Sequence, residues 1–290
     1  MGFRPSKRVM WIIVSGLAAV AIGAGVAAVV LGDSTSSKRA AEPSTAPSTV
    51  ASTAASTTTT AAPSWPPPKS IVLAGDSLLS TLAPALKFVA GGRGIEVTDW
   101  SSPGCGLIRG LISSPDFTQT LPWSKTCDEN IPPHEDGVAA LHPDLVVWLS
   151  SWESADRIVD GRGYRLGTLD GDAKWLELID EAVHRLTANG ARVVFFTFPP
   201  AADSEKLGTP SLADARPGIY LNQILRVYAE RHPANTFLVD LSEMVCPGGP
   251  PCPTEVNGVV LRPGDGHHFS GDGPGYLAPR LLDAIMAHYA

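Results

Sequence analysis

The chain has 290 residues, 18% of them charged and 44% hydrophobic, with a formal net charge of −7. That length accommodates one or two domains with a proper core and excludes a wholly disordered chain. Five of its bases and only two of its acids precede residue 69, so the remainder is more acidic than the whole, which argues against a nucleic-acid partner.

Residues 1–8 carry Arg4, Lys7 and Arg8, and Val9–Leu31 then run without a charge until Asp33. As a helix rising about 1.5 Å per residue, residues 9–31 span the roughly 30 Å of a bilayer's hydrocarbon. The positive-inside bias keeps residues 1–8 in the cytoplasm and sends everything after residue 31 outward. A cleaved signal peptide, which would release the protein, is the rival reading. Its apolar run is usually only about 7–15 residues, and no clean small-x-small site precedes Asp33. Residues 32–68 follow as a linker. From Ser34 to Pro68 only Lys38, Arg39, Glu42, Val50 and Trp65 depart from Ser, Thr, Ala and Pro. Such a segment buries no core; it reads as a disordered stalk, open to O-glycosylation, that ends in Pro66-Pro67-Pro68 and acts as a spacer.

Residues 69–290 alternate strand-like apolar runs with amphipathic stretches and show no second domain boundary. The patterning predicts strands at 70–74, 95–100, 144–149, 192–198 and 236–241. Helices are expected at 78–90, 173–188 (stopped by Asn189-Gly190), 217–231 and 275–288. The third and fourth strands are nearly unbroken Val, Phe and Leu, as parallel strands covered on both faces should be. The expected fold is α/β, doubly wound around a mainly parallel sheet. Ligands of such sheets bind beyond the carboxyl ends of the strands. Four stretches therefore matter: Gly75–Ser77, Ser101–Gly106, Ser150–Glu153 and the loop before the last helix.

All four cysteines lie in the exported portion, where disulfides persist. The Gly/Pro-rich loop between Cys246 and Cys252 suggests a local staple, which leaves Cys105 with Cys127. A structural zinc site is the alternative, although the spacings do not match its usual paired ligands.

In Gly75-Asp76-Ser77-Leu78 a strand turns into a helix, which places the Ser77 hydroxyl near unpaired N–H groups. Read alone, this is equally a helix N-cap. In Asp265-Gly266-His267-His268 a three-residue spacing lets the Asp265 carboxylate orient the His268 ring, leaving its other nitrogen to act as a general base toward Ser77. A metal site built from Asp265, His267 and His268 ranks below this triad, because His134 and His142 supply no recognisable further ligand. No metal and no cofactor are expected.

These residues resemble the SGNH (GDSL-like) hydrolases, serine esterases and acyltransferases with a flavodoxin-like three-layer α/β/α fold. Gly75-Asp76-Ser77 is similar to the family's nucleophile block, and Asp265-x-x-His268 to its acid–base block. The resemblance implies an oxyanion hole formed by the N–H of Ser77 and that of Gly104 or Gly106. Where the family has Gly-x-Asn-Asp, this chain has Ser150-Ser151-Trp152-Glu153. The oxyanion-binding Asn is replaced by Trp152, whose indole would donate to substrate, stack on a sugar or pack in the core. Ser101-Ser-Pro-Gly-Cys-Gly106 together with Cys127 is most similar to the SGNH domains attached to bacterial membrane acyltransferases that O-acylate envelope glycans. Their many-helix membrane domain is missing here, so the resemblance implies an acyl donor on a separate protein. Arg262 is a candidate for binding a substrate carboxylate or phosphate, or for bracing its loop. Trp123, Tyr164 and Trp175 are candidates for a sugar cleft or for the core.

The expected function is that of an exported, membrane-anchored serine esterase or O-acyltransferase acting on an acyl ester or acylated envelope glycan. The alternative is a non-catalytic glycan-binding or partner-docking module on the same fold.

Overall fold

The computed structural model describes residues 65–202 and 212–289. The expected cytoplasmic segment 1–8, the expected membrane span 9–31 and most of the expected linker 32–68 lie outside the described residues. Five strands, β1 (Ser70–Gly75), β2 (Glu96–Asp99), β3 (Leu145–Leu149), β4 (Arg192–Phe196) and β5 (Thr236–Val239), form one parallel sheet in the order β2-β1-β3-β4-β5. The pairing runs from Ile71 opposite Val97 and Leu145 to Phe196 opposite Val239. This is the strand order of flavodoxin-like sheets. Every residue of β3 and β4 is buried, as their unbroken apolar character requires.

Helices cover both faces. Ile71 and Leu73 point toward α1 (Ser77–Gly91) and α6 (Gly273–Ala287), where Leu78, Leu82, Leu281 and Leu282 complete one core. Val72, Val146, Trp148 and Phe195 point the other way, into Trp175 and Ile179 of α3 (Leu169–Leu186) and Leu221 and Leu225 of α4 (Leu212–Arg231). Neighbouring strand residues feed opposite cores because the side-chain period is two.

The sequence reading did not anticipate α2 (Ser124–Ala140), which contains Pro132 and Pro133. Its buried face, Cys127, Ile131, Glu135 and Val138, has helical spacing, but two prolines and a carboxylate mask it. Leu241, expected at the end of β5, instead opens the short α5 (Leu241–Val245), because Asp240 caps that turn by accepting from the Glu243 N–H at 3.2 Å. Two small antiparallel ribbons, Leu111–Ile112 with Arg157–Val159 and Arg162–Tyr164, and Glu255–Val256 with Val259–Val260, are likewise additions. Both expected disulfides, Cys105–Cys127 and Cys246–Cys252, are formed.

At the edge where the strands begin, the chain is already seated on the sheet before β1. Trp65 lies over the Arg192 guanidinium at 4.3 Å, Phe237 and Tyr289 flank the same group at 5.0 and 5.1 Å, and Pro68 is buried. The Asp144 carboxylate then accepts the Lys69 and Ser70 N–H groups at 2.7 and 2.9 Å. The site residues gather at the opposite edge.

Candidate active site

The turn after β1 is dictated by contact. A Cβ on Gly75 would lie 1.9 Å from the Leu149 carbonyl oxygen, so only glycine fits beside β3. Asp76, wholly buried, then caps α1: its Oδ1 accepts the Leu78 N–H at 2.8 Å. The other oxygen, Oδ2, accepts both the N–H (2.8 Å) and the hydroxyl (2.6 Å) of Ser151. Asp76 therefore bolts the β1 turn to the β3 turn and leaves Ser77, the first residue of the helix, facing outward from the sheet edge.

The Ser77 hydroxyl is 2.8 Å from His268 Nε2, and His268 Nδ1 is 2.8 Å from Asp265 Oδ2. Residues 191 positions apart thus meet in one hydrogen-bonded line. With the Nδ1 proton donated to the carboxylate, Nε2 accepts from the Ser77 hydroxyl. Asp265 Oδ1 takes the N–H groups of His267 and His268 at 2.9 and 2.8 Å. Burial pushes the Asp265 carboxyl upward. The bonds from the His268 ring and the two N–H groups outweigh it and hold the group well below the usual carboxylate range.

The acid–base loop rests on the segment after β4. Ala202 N–H donates to the Gly266 carbonyl at 2.8 Å, and Arg262 Nη1 donates to the Pro200 carbonyl at 2.5 Å. Arg262, a candidate either for binding substrate or for bracing its loop, is only 3% exposed; its guanidinium, pushed down to about 10 by burial against the opposing charge of Asp265, braces this loop and does not face solvent. His267 packs edge-on between Phe198 (5.6 Å) and His268 (4.9 Å), and burial followed by the charge of His268 lowers its pKa.

The third component is the Ser101–Gly106 loop. The Ser102 N–H donates to the Gly75 carbonyl at 2.7 Å, drawing the loop to the β1 turn. Gly104 adopts φ +87° and Gly106 is buried against Glu153. Neither N–H donates to another group among the described residues. Gly104 and Gly106 therefore both stand as oxyanion-donor candidates. Beneath them Glu153 Oε1 accepts the Leu107 N–H, and Arg157 reaches the carbonyls of Gly110 (3.0 Å) and Trp152 (2.9 Å). Burial raises the Glu153 carboxyl, with the Arg157 charge opposing, and burial pushes Arg157 down to about 10. Cys105–Cys127 ties the same loop to α2.

Trp152, in the place of the family's Asn, is half-buried and meets Trp123 edge-on at 5.9 Å and 78°. Trp175, in contrast, is fully buried and gives its indole N–H to the Glu153 carbonyl at 2.7 Å, so it belongs to the core and not to a cleft. Tyr164 sits at the edge of a ribbon beneath the cations of Arg162 and Lys174. The supporting roles of Asp76, Ser151, Glu153 and Arg157 were not legible in sequence, since each depends on a contact between distant turns. Among the described residues, no group of three or more His, Cys, Asp and Glu could hold a metal ion.

A family model described as the SGNH domain fused to AT3 domains matches residues 46–283. Among solved structures, the chain is similar to the periplasmic domain of a lipopolysaccharide acetyltransferase from Salmonella ser. Paratyphi A. That match has 13% identity and a TM-score of 0.50, covering 75% of this chain and 84% of that one. It is also similar to a GDSL-like lipase from Bacteroides thetaiotaomicron VPI-5482, at 15% identity and a TM-score of 0.47, over 76% and 88% of the two chains. At these identities the likeness is one of fold. No curated protein matches the chain.

Proposed function

The chain belongs to the SGNH domain family whose members are fused to AT3 domains, and from that membership we propose that it is a serine acyl-ester hydrolase or O-acyltransferase of cell-envelope carbohydrate. The observation that carries the reading is the unbroken Ser77–His268–Asp265 line at 2.8 Å per link.

In the proposed reaction the Ser77 oxygen attacks the ester carbonyl carbon while His268 Nε2 takes the hydroxyl proton. Asp265 keeps the ring in the tautomer that can accept it and stabilises the imidazolium. The oxyanion is held by the N–H of Ser77 and that of Gly104 or Gly106. As the C–O bond breaks, His268 returns the proton to the departing alcohol, leaving an ester on Ser77. Water or a sugar hydroxyl then enters with His268 again as base. The first gives hydrolysis and the second transfer.

The Salmonella neighbour is the periplasmic domain of a lipopolysaccharide acetyltransferase, which supports an extracytoplasmic place and a glycan acceptor for this chain too, with the acyl group supplied by a separate membrane acyltransferase. Residues 9–31, as a membrane anchor preceded by a cytoplasmic 1–8, and 32–68, as its spacer, are part of the same proposal. The test is intact-protein mass spectrometry after incubation with short acyl esters, with and without saccharide. The expected result is an acylated Ser77 whose acyl group moves to water or sugar. Fluorophosphonate labelling that persists in Ser77→Ala would overturn the assignment. Glycan affinity without turnover, unaltered in that variant, would favour a binding module, the reading to which the loss of the Asn points.

A further inference from the structure

Trp123 and Trp152 lie at the same rim: Trp123 is 44% exposed, unusual for a residue that is on average strongly buried, and Trp152 is half-buried beside it. Both are nevertheless held in place. The Trp123 indole N–H donates to the Gly104 carbonyl at 3.1 Å, and the same loop is tied by Cys105–Cys127 to the first turn of α2, just after Trp123. The backbone N–H of Trp152 donates to the Ser150 hydroxyl at 3.2 Å, and its carbonyl accepts a hydrogen bond from Arg157 Nη2 at 2.9 Å. The Trp123 ring and the Trp152 backbone are thus fixed before any ligand arrives, and a preorganised surface loses less entropy on association.

Their position ties them to the reacting group. Trp152 directly follows Ser151, which clasps Asp76 beside Ser77; Trp123 grips the carbonyl of Gly104. The two indoles meet edge-to-face at 78°, so neither is stacked flat on the other, and the indole Nε1–H of Trp152 donates to no group among the described residues. Around Trp152, Asp76, Glu153 and Arg157 are buried and engaged with backbone, and the exposed Lys125 that follows Trp123 is paired with Glu129 at 3.8 Å. The rim therefore presents an uncharged aromatic corner with a free donor. A neutral pyranose has the complementary surface: C–H groups on one face and hydroxyl oxygens around its edge. An acyl chain would instead need an enclosed apolar slot.

We infer that Trp123 and Trp152 form a stacking subsite for a neutral pyranose ring of the acyl-bearing substrate or acceptor. The inference rests on the proposed serine chemistry at Ser77 and specifies the sugar-recognising part of that site.

The full chain is assayed on ethyl acetate and on mono-O-acetylated methyl glycosides of glucose, galactose and N-acetylglucosamine. In Trp152→Ala the ratio of kcat/KM for the preferred glycoside over that for ethyl acetate is expected to fall about tenfold, with the loss in KM. Trp152→Phe should recover most of it. A ratio unchanged in Trp152→Ala, or a wild type that prefers none of the glycosides over ethyl acetate, overturns the subsite. Absence of turnover on every ester sinks the serine-enzyme reading instead. Tryptophan fluorescence titrated with the unacetylated methyl glycosides then decides the subsite separately: quenching that disappears in Trp152→Ala supports it, and no quenching in the wild type overturns it.

Discussion

A methyl group on the α-carbon of Gly106 would stand 2.6 Å from Oε1 of Glu153, and that carboxylate cannot move aside because it is buried and holds the Leu107 N–H. The glycine is therefore required by a side chain, not by its own backbone angle. Gly106→Ala is expected to displace the loop and lower kcat/KM on ethyl acetate by about 100-fold, the scale of losing one oxyanion donor. A steady-state assay beside an unfolding curve checks this, since a rate loss no larger than twofold would remove Gly106 and its loop from the oxyanion hole.

Substitution within the hydrogen-bonded line should abolish chemistry and spare the fold. Ser77→Ala and His268→Ala are each expected to lower ester turnover by at least about 1000-fold, with an unchanged circular dichroism spectrum. Asp265→Asn keeps the shape but reverses the ring's hydrogen-bonding preference. It should cost a similar factor, and a near-wild-type rate in it would show that Asp265 does not orient the base.

Glu135 makes stability depend on pH in an unusual direction. It is 2% exposed on α2, and burial raises its pKa to about 8 even though the Arg185 charge opposes the shift. The folded chain keeps this proton where the unfolded chain, titrating near 4.5, has released it. Stability contributed by the site is thus complete below about pH 4.5 and declines as pH rises to about 8. Glu135→Gln should raise Tm at pH 8 by several degrees and change it little at pH 5. Equal shifts at both values would mean that the carboxyl does not titrate in this window.

The two disulfides should contribute unequally. Closing the 22-residue separation of Cys105–Cys127 is worth about 3 kcal/mol by chain entropy, and the six-residue separation of Cys246–Cys252 about 2. Cys105→Ser/Cys127→Ser should also lower kcat, because that bridge tethers the loop bearing Gly104 and Gly106. Cys246→Ser/Cys252→Ser should leave kcat nearly intact, and thermal unfolding alongside the ester assay separates the two effects.

Much of the sheet was legible because β1, β3 and β4 are bounded by turn residues and made almost entirely of apolar side chains. Strand and helix ends shifted where a cap decided them: Asp240 starts α5 two residues inside the expected strand, and Thr168 starts α3 four residues ahead of the expected 173. The nucleophile and base could be located because each sits in a short motif whose chemistry is local. What holds them together could not. Asp76 to Ser151, Glu153 to Leu107 and Arg262 to Pro200 are contacts across distant turns, and α2 hides its buried stripe behind a carboxylate and two prolines. Trp175 illustrates the converse. Its type suited a sugar cleft, yet its place on the inner stripe of α3 put it in the core.

The seat of Trp65 on Arg192 gives the molecule a polarity. Preceding chain joins at one rim of the sheet, while Ser77 opens at the other, a strand's length of roughly 20 Å away. Any ester therefore reaches Ser77 from the carboxyl edge of the sheet, the rim remote from Trp65.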